Sequence, residues 1–263
     1  MKNKPIGFMD SGLGGLSVLL EVRKLLPQED FEYFADNYHQ PYGEKSQKEL
    51  VIFTKQIITF LLSQKIKIGI IACNTATAAS LELIKKEFPI PIMGVIQPAV
   101  LEAVKKTKNK KIGVIATEYT IRSKIYTGEI KKINSQIEVY DNFCPRFVPL
   151  VEEGKFNQQE TYLIAQEYLK PLKEAKVDTL ILGCTHYSFL KRIIARIMGS
   201  AVQLVDPANS TARVLERLLR ESGLLKEEGP GKEHYYTSGS PQKIEKIASI
   251  IMQKDIKMNK VEL

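Results

Sequence analysis

The strongest constraint on this chain is that one of its segments is written twice. Ile68-Gly-Ile-Ile-Ala-Cys73-Asn-Thr75 resembles Thr179-Leu-Ile-Leu-Gly-Cys184-Thr-His186, with the two cysteines 111 residues apart. Two further pairs keep the same order at similar offsets. Val95-Ile-Gln-Pro98-Ala and Val205-Asp-Pro207-Ala are 109 apart at their prolines, and Ile6-Gly-Phe-Met9 and Ile112-Gly-Val-Ile115 are 106 apart. Three matches in register imply that one folding unit is present twice.

The repeated unit reads as α/β. Short apolar runs bounded by Gly, Pro or polar residues predict strands over 6–9, 68–72, 92–96, 112–116, 179–182 and 202–205. Between them, segments with apolar residues at helical spacing predict helices over 16–26, 50–62, 76–88, 100–106, 121–133, 162–175 and 190–198. Continuous rather than alternating apolar strands indicate parallel sheets covered on both faces. The expected architecture is two similar parallel-sheet α/β domains related by pseudo-twofold symmetry, with the site in the cleft between them. Residues 1–97 plus 208–263 form the first domain, discontinuous in sequence, and 98–207 form the second. The tail, with His234-Tyr-Tyr-Thr-Ser238 and a helical stretch over 244–252, has no counterpart in the second unit and is expected to return to the first.

Each repeated cysteine closes an apolar strand at its carboxyl end and opens the next helix, which is where parallel α/β sheets bind ligands. A lone cysteine is most often a small buried hydrophobe. Here the strand turns abruptly polar, into Asn74-Thr75 and Thr185-His186. Helix N-termini add free N–H groups and a positive dipole end that favour a thiolate or hold a carboxylate. Two facing units place one thiol on each wall of a shared cleft. Cys144, before Pro145, lacks the strand-to-helix turn and is assigned a structural role.

Other chemistries fit less well. Zinc sites need closely spaced ligand pairs, whereas Cys73, Cys144 and Cys184 stand 71 and 40 residues apart and the three histidines are unpaired, so no metal is expected. Asp10-Ser-Gly-Leu-Gly-Gly-Leu16 lacks the lysine of a P-loop and is too compact for a dinucleotide fingerprint. It serves equally well as a tight strand-to-helix turn or as an anion cradle. The net charge of +8 raises nucleic acid as a partner. The lysines lie in polar stretches with no interleaved aromatics, so none is expected. No apolar run approaches the ~18 residues of a membrane span, and Asp10 with its neighbouring glycines interrupts any signal-peptide core. An odd, widely spaced cysteine count argues against a disulfide framework. The expected location is the cytoplasm.

Taken in order, Asp10-Ser-Gly-Leu-Gly-Gly-Leu-Ser-Val18, Pro41-Tyr42-Gly43, Ala72-Cys-Asn-Thr-Ala76, Phe147-Val-Pro-Leu-Val-Glu152 and Leu180-Ile-Leu-Gly-Cys-Thr-His186 resemble the successive motifs of glutamate racemase, in the aspartate/glutamate racemase superfamily. The resemblance runs from the first strand through Asp206-Pro-Ala208. It implies two α/β domains and cofactor-independent interconversion of L- and D-glutamate, supplying D-glutamate for peptidoglycan. It also implies a homodimer. Carried over by position, the catalytic cysteines fall on Cys73 and Cys184, assisted by Asp10, His186 and Glu152. Substrate contacts fall on Asp10, Ser11, Tyr42, Gly43, Asn74, Thr75, Thr185 and His186, with Thr117 and Thr120 as further candidates. The chain departs from the family pattern at Asp36-Asn-Tyr-His-Gln40 and at Met9. Aspartate racemase, or a related two-cysteine isomerase, is the alternative of the same class. A two-lobed amino-acid receptor is the rival of another class, and it has no use for paired thiols.

Two thiols suit racemisation because an α-proton must leave one face of a carbon and return on the other, which a single base reaches poorly. One thiol begins as thiolate and accepts, the other begins protonated and donates. An ordinary thiol pKa of about 8.5 makes both states accessible near neutrality.

Overall fold

The computed structural model describes all 263 residues. Its strands are β1 Ile6–Asp10, β2 Phe31–Ala35, β3 Ile68–Ile71, β4 Ile92–Gly94, β5 Lys111–Ala116, β6 Glu138–Phe143, β7 Thr179–Gly183, β8 Gln203–Val205, β9 Glu233–Thr237 and β10 Asn259–Lys260. The helices are α1 Leu16–Leu25, α2 Gln47–Ser63, α3 Asn74–Glu87, α4 Ile96–Lys106, α5 Glu118–Arg122, α6 Ile125–Ile133, α7 Phe147–Glu152, α8 Gln159–Glu174, α9 Lys191–Met198, α10 Pro207–Glu221 and α11 Pro241–Met252.

All strand pairs are parallel, in two sheets. One has the order β10-β9-β2-β1-β3-β4 and the other β6-β5-β7-β8. Superposing the repeat on these orders matches β2-β1-β3-β4 to β6-β5-β7-β8 strand for strand. The duplicated segments are therefore the same central strands of two sheets. The tail is what differs: β9 adds to β2 in the register Phe31↔Glu233, extending the first sheet only.

Apolar cores lie on both faces of each sheet, as continuous apolar strands require. Leu16, Leu19 and Val22 of α1 with Ala212, Leu215 and Leu219 of α10 cover one face of the first sheet, and Leu50, Ile57 and Leu61 of α2 with Ala76 and Ile84 of α3 cover the other. In the second lobe, α7 to α9 pack on one face while α4 and α6 pack on the other.

The differences from the sequence reading have local causes. Strand β2 is wholly buried, yet its apolar run is broken by Glu32, whose carboxylate pairs with His234 at 2.9 Å. Strand β6 lies at a sheet edge, half-exposed and polar, and so carries little apolar signal. The strand over 92–96 stops at Gly94, and α4 begins at Ile96. The helix over 121–133 is two helices, broken where Lys124 takes the left-handed conformation (φ 54°). No helix is long and apolar enough to cross a membrane.

Candidate active site between the two lobes

The carboxyl ends of β1, β2 and β3 face those of β5, β6 and β7 across a cavity of about 340 Å³. Both Cys73 and Cys184 line it, together with Ser11, Tyr42, Gly43, Asn74, Thr75, Glu152, Thr185 and His186. The two motifs, 111 residues apart in sequence, thus line one space from different sheets.

Cys73 is the N-cap of α3. Its extended backbone (φ −65°, ψ 121°) lets the sulfur accept the Ala76 N–H at 3.5 Å, while Ser11 Oγ lies 3.8 Å from it. The first turn of α3 leaves backbone N–H groups without intrahelical partners, a ready site for a carboxylate. Burial, and next the negative charge of Asp10, push the Cys73 thiol up to about 12, against the weaker opposing pull of the Ala76 N–H. This sulfur is a thiol at neutral pH.

Cys184 precedes a 3-10 turn over Thr185–Leu190 and has a different neighbour. His186 Nδ1 lies 3.7 Å from its sulfur, and His186 Nε2 lies 2.7 Å from Glu152 Oε1. Burial opposes charge on the imidazole, but the hydrogen bonds and charges of Cys184 and Glu152 outweigh it, and His186 titrates well above its ordinary value. Glu152 is likewise penalised by burial and brought below the usual carboxylate range by His186, Gln40 and the Leu13 N–H. An imidazolium therefore stands beside Cys184, and a carboxylate fixes it there.

That carboxylate also joins the lobes. Glu152 Oε1 accepts from Leu13 N at 3.3 Å and from Gln40 Nε2 at 3.1 Å, both in the first lobe. The glycine run sets how closely the lobes approach. A Cβ on Gly14 would overlap Thr185 Oγ1 and come within 2.5 Å of His186 Nδ1. Gly15 is needed for the turn itself, since its Cβ would meet Asp10 Cβ at 2.5 Å.

Asp10 is fully buried and stands behind the cavity wall. It accepts from Gly12 N at 3.0 Å and from Thr185 Oγ1 at 3.2 Å. Burial, partly offset by the His186 charge, raises its carboxyl to about 6. Tyr42 reaches the cavity with its ring, its hydroxyl being engaged by Asp36 Oδ2 at 2.5 Å. Asp36 also accepts from His39, in the segment that departs from the family pattern, and from Ser238 beyond β9. Thr75, Thr117 and Thr120 meet as a hydroxyl cluster across the lobes, at 2.8 Å for Thr75–Thr117 and 3.0 Å for Thr117–Thr120. Of these, Thr75 and Thr117 line the cavity.

Sequence reasoning placed Cys144 outside the site, yet it lines the cavity with Pro145, Val148 and Pro149. The repeat carries the signal only once its flanking strands, β2 and β6, are known. Cys144 follows β6 as Asp36 follows β2, and the ends of equivalent strands face the same cleft.

Fold and site together define a two-lobed α/β enzyme with its active site in the interlobe cleft. The model of the Asp/Glu/hydantoin racemase family matches residues 7–215. A glutamate racemase of Geobacter metallireducens is 46% identical over 239 residues, covering 90% of this chain and 88% of that protein. The crystal structure of glutamate racemase isoform RacE1 from Bacillus anthracis superposes with a TM-score of 0.97 at 35% identity, covering 100% of this chain and 99% of that one. The Francisella tularensis glutamate racemase, solved in complex with D-glutamate, gives 0.92 at 36% identity, covering 100% and 98%. The chain belongs to the Asp/Glu/hydantoin racemase family, among its glutamate racemases, and is an isomerase.

Proposed function

We propose that this chain interconverts L- and D-glutamate by passing a proton between two cysteines, without a cofactor, and that the D-glutamate supplies peptidoglycan synthesis. The observation that carries the mechanism is the pair of thiols at corresponding strand ends, lining one cavity in unlike electrostatic surroundings. In the resting site, the Cys184 sulfur beside the imidazolium is the base. It takes the α-proton, the C–H pair remains on the α-carbon as a carbanion, and the Cys73 thiol protonates the opposite face. Cys73 is then a thiolate and Cys184 a thiol, so the reverse reaction uses the same groups in exchanged roles. Backbone N–H groups at the start of α3 and the hydroxyls of Thr75 and Thr117 hold the substrate carboxylates and stabilise charge as the carbanion forms.

Support for glutamate over aspartate comes from the relatives, whose names specify glutamate and which cover 90% to 100% of this chain. Three free cysteines suit a reducing cytoplasm. A homodimer, as the family resemblance implies, is the working assembly. The test is α-deuterium uptake from D₂O by L- and D-glutamate beside L- and D-aspartate, without added pyridoxal phosphate or metal. Uptake into both glutamate enantiomers is expected. Uptake into aspartate alone contradicts the proposed substrate.

A further inference from the structure

Tyr126 opens the first turn of α6 in the second lobe and is 3% exposed, outside every motif discussed above. Its hydroxyl crosses the lobe boundary to Asn74 Oδ1 at 2.6 Å. Its ring packs on the backbone just before Cys184: a Cβ on Gly183 would meet Tyr126 Cε2 at 3.1 Å and Ile115 O at 2.9 Å. One side chain therefore touches the residue after the first cysteine and the residue before the second.

The hydrogen bond has a direction. Burial pushes the Tyr126 phenol well above its ordinary value, so it stays protonated and must donate. Asn74 Oδ1 is its acceptor, and turning the amide over would leave a buried O–H facing an N–H. The carbonyl is thereby fixed toward Tyr126 and the NH₂ group away from it. Asn74 Nδ2 is buried without a partner although Asn74 lines the cavity. A buried, unpaired donor is costly in the empty site. A carboxylate oxygen of the substrate, bound beside Cys73, removes that cost.

We infer that Tyr126 is a positioning residue for racemisation: its hydroxyl locks the Asn74 amide with the NH₂ toward the substrate carboxylate, and its ring sets the distance between the two cysteine-bearing loops. This rests on the amino-acid substrate proposed above. A phenylalanine keeps the ring and removes only the lock, so the two contributions can be separated. Without the hydroxyl, the amide is free to present its oxygen to an anion, and binding suffers more than turnover.

The test is a double-mutant cycle on the full chain with Tyr126→Phe, Asn74→Ala and the double variant. It is read as kcat and KM for each glutamate enantiomer and as calorimetric affinity for D-glutamate. Tyr126→Phe is expected to raise KM and Kd about tenfold with kcat changed less than threefold. In the Asn74→Ala background it is expected to change neither, because both substitutions remove the same interaction. Additive losses in the cycle, or a Tyr126→Phe enzyme with wild-type KM, overturn the inference. Wild-type enzyme that binds and racemises no glutamate at all instead contradicts the proposed substrate. In that case the cycle is run on the enantiomers of the amino acid that does exchange, with the same two outcomes deciding.

Discussion

Cys73 and Cys184 close corresponding strands, β3 and β7, in sheets of matched order, yet only Cys184 has a cation beside it. The alignment of the two halves locates the difference. Two residues beyond the cysteine stands Thr75 in one half and His186 in the other. The first half sets its thiol beside the neutral Ser11 hydroxyl and near the buried carboxylate of Asp10. The second supplies an imidazolium held by Glu152. Duplication of the backbone thus provides two thiols at corresponding places, and divergence of a few side chains sets them in unlike electrostatic surroundings. A site with two identical walls would offer two thiols or two thiolates, and neither pair can both accept and donate in one turnover.

Removing either sulfur breaks the comparison most severely. Cys73→Ser and Cys184→Ser are each expected to lower kcat/KM for racemisation by about 10³-fold or more, the scale of lost general acid or base catalysis. Either variant retains one-sided elimination from an amino acid carrying a β-leaving group, measured as keto-acid release. A serine variant racemising at the wild-type rate contradicts the two-thiol scheme.

Removing the asymmetry while keeping both sulfurs comes next. His186→Asn is expected to cost about 10²-fold. Equilibrium requires kcat/KM to fall equally in both directions, so the asymmetry is sought in kcat and in solvent isotope effects. The pH dependence has a definite sign. His186 is held protonated above its ordinary value, so its charge is present through neutral pH and is lost as pH rises through the folded value. Glu152→Gln removes a partner that raises it, and the alkaline decline of kcat is expected to move to lower pH. An unchanged profile means the imidazolium is not the group that sets it.

The contact between the halves can be loosened without removing a titrating group. Gly14→Ala places a methyl against Thr185 and His186 across the lobe boundary. Misplacement of the second wall is expected to cost about 10-fold to 10²-fold in kcat/KM, with a change in thermal stability of only about 1 kcal/mol.

The last change acts on stability, and with the opposite sign. Asp10 titrates at about 6 against an ordinary 3.8, so the folded state binds its proton more tightly and loses stability as pH rises between those values. Asp10→Asn removes a buried charge and is expected to stabilise the fold by about 2 kcal/mol at neutral pH while slowing catalysis. Thermal melts across that pH range check it, and a variant less stable than wild type at neutral pH contradicts the assignment.

Much of this arrangement was legible in the sequence because the apolar strands leading to Cys73 and Cys184 are continuous, and because an abrupt polar turn after such a strand is a local signal. The flanking strands β2 and β6 were not, since Glu32 interrupts one and the other is a half-exposed polar edge. Glu152 and His186 were visible only as members of motifs. Their ion pair depends on α7 and the turn after β7 meeting in space, which no local pattern encodes. Cys144 and Tyr126 were missed for the same reason. Each reaches the cleft by tertiary placement, Cys144 at the end of an unrecognised strand and Tyr126 after a helix break at Lys124.

The most direct test of two opposed thiols is the distribution of label early in the reaction in D₂O, starting from one protiated enantiomer of glutamate. With separate acid and base, the newly formed enantiomer carries deuterium at the α-carbon while the remaining substrate keeps its proton. Product that retains the substrate's proton, or deuterium appearing equally in both enantiomers from the first turnovers, indicates a single base serving both faces and contradicts this account.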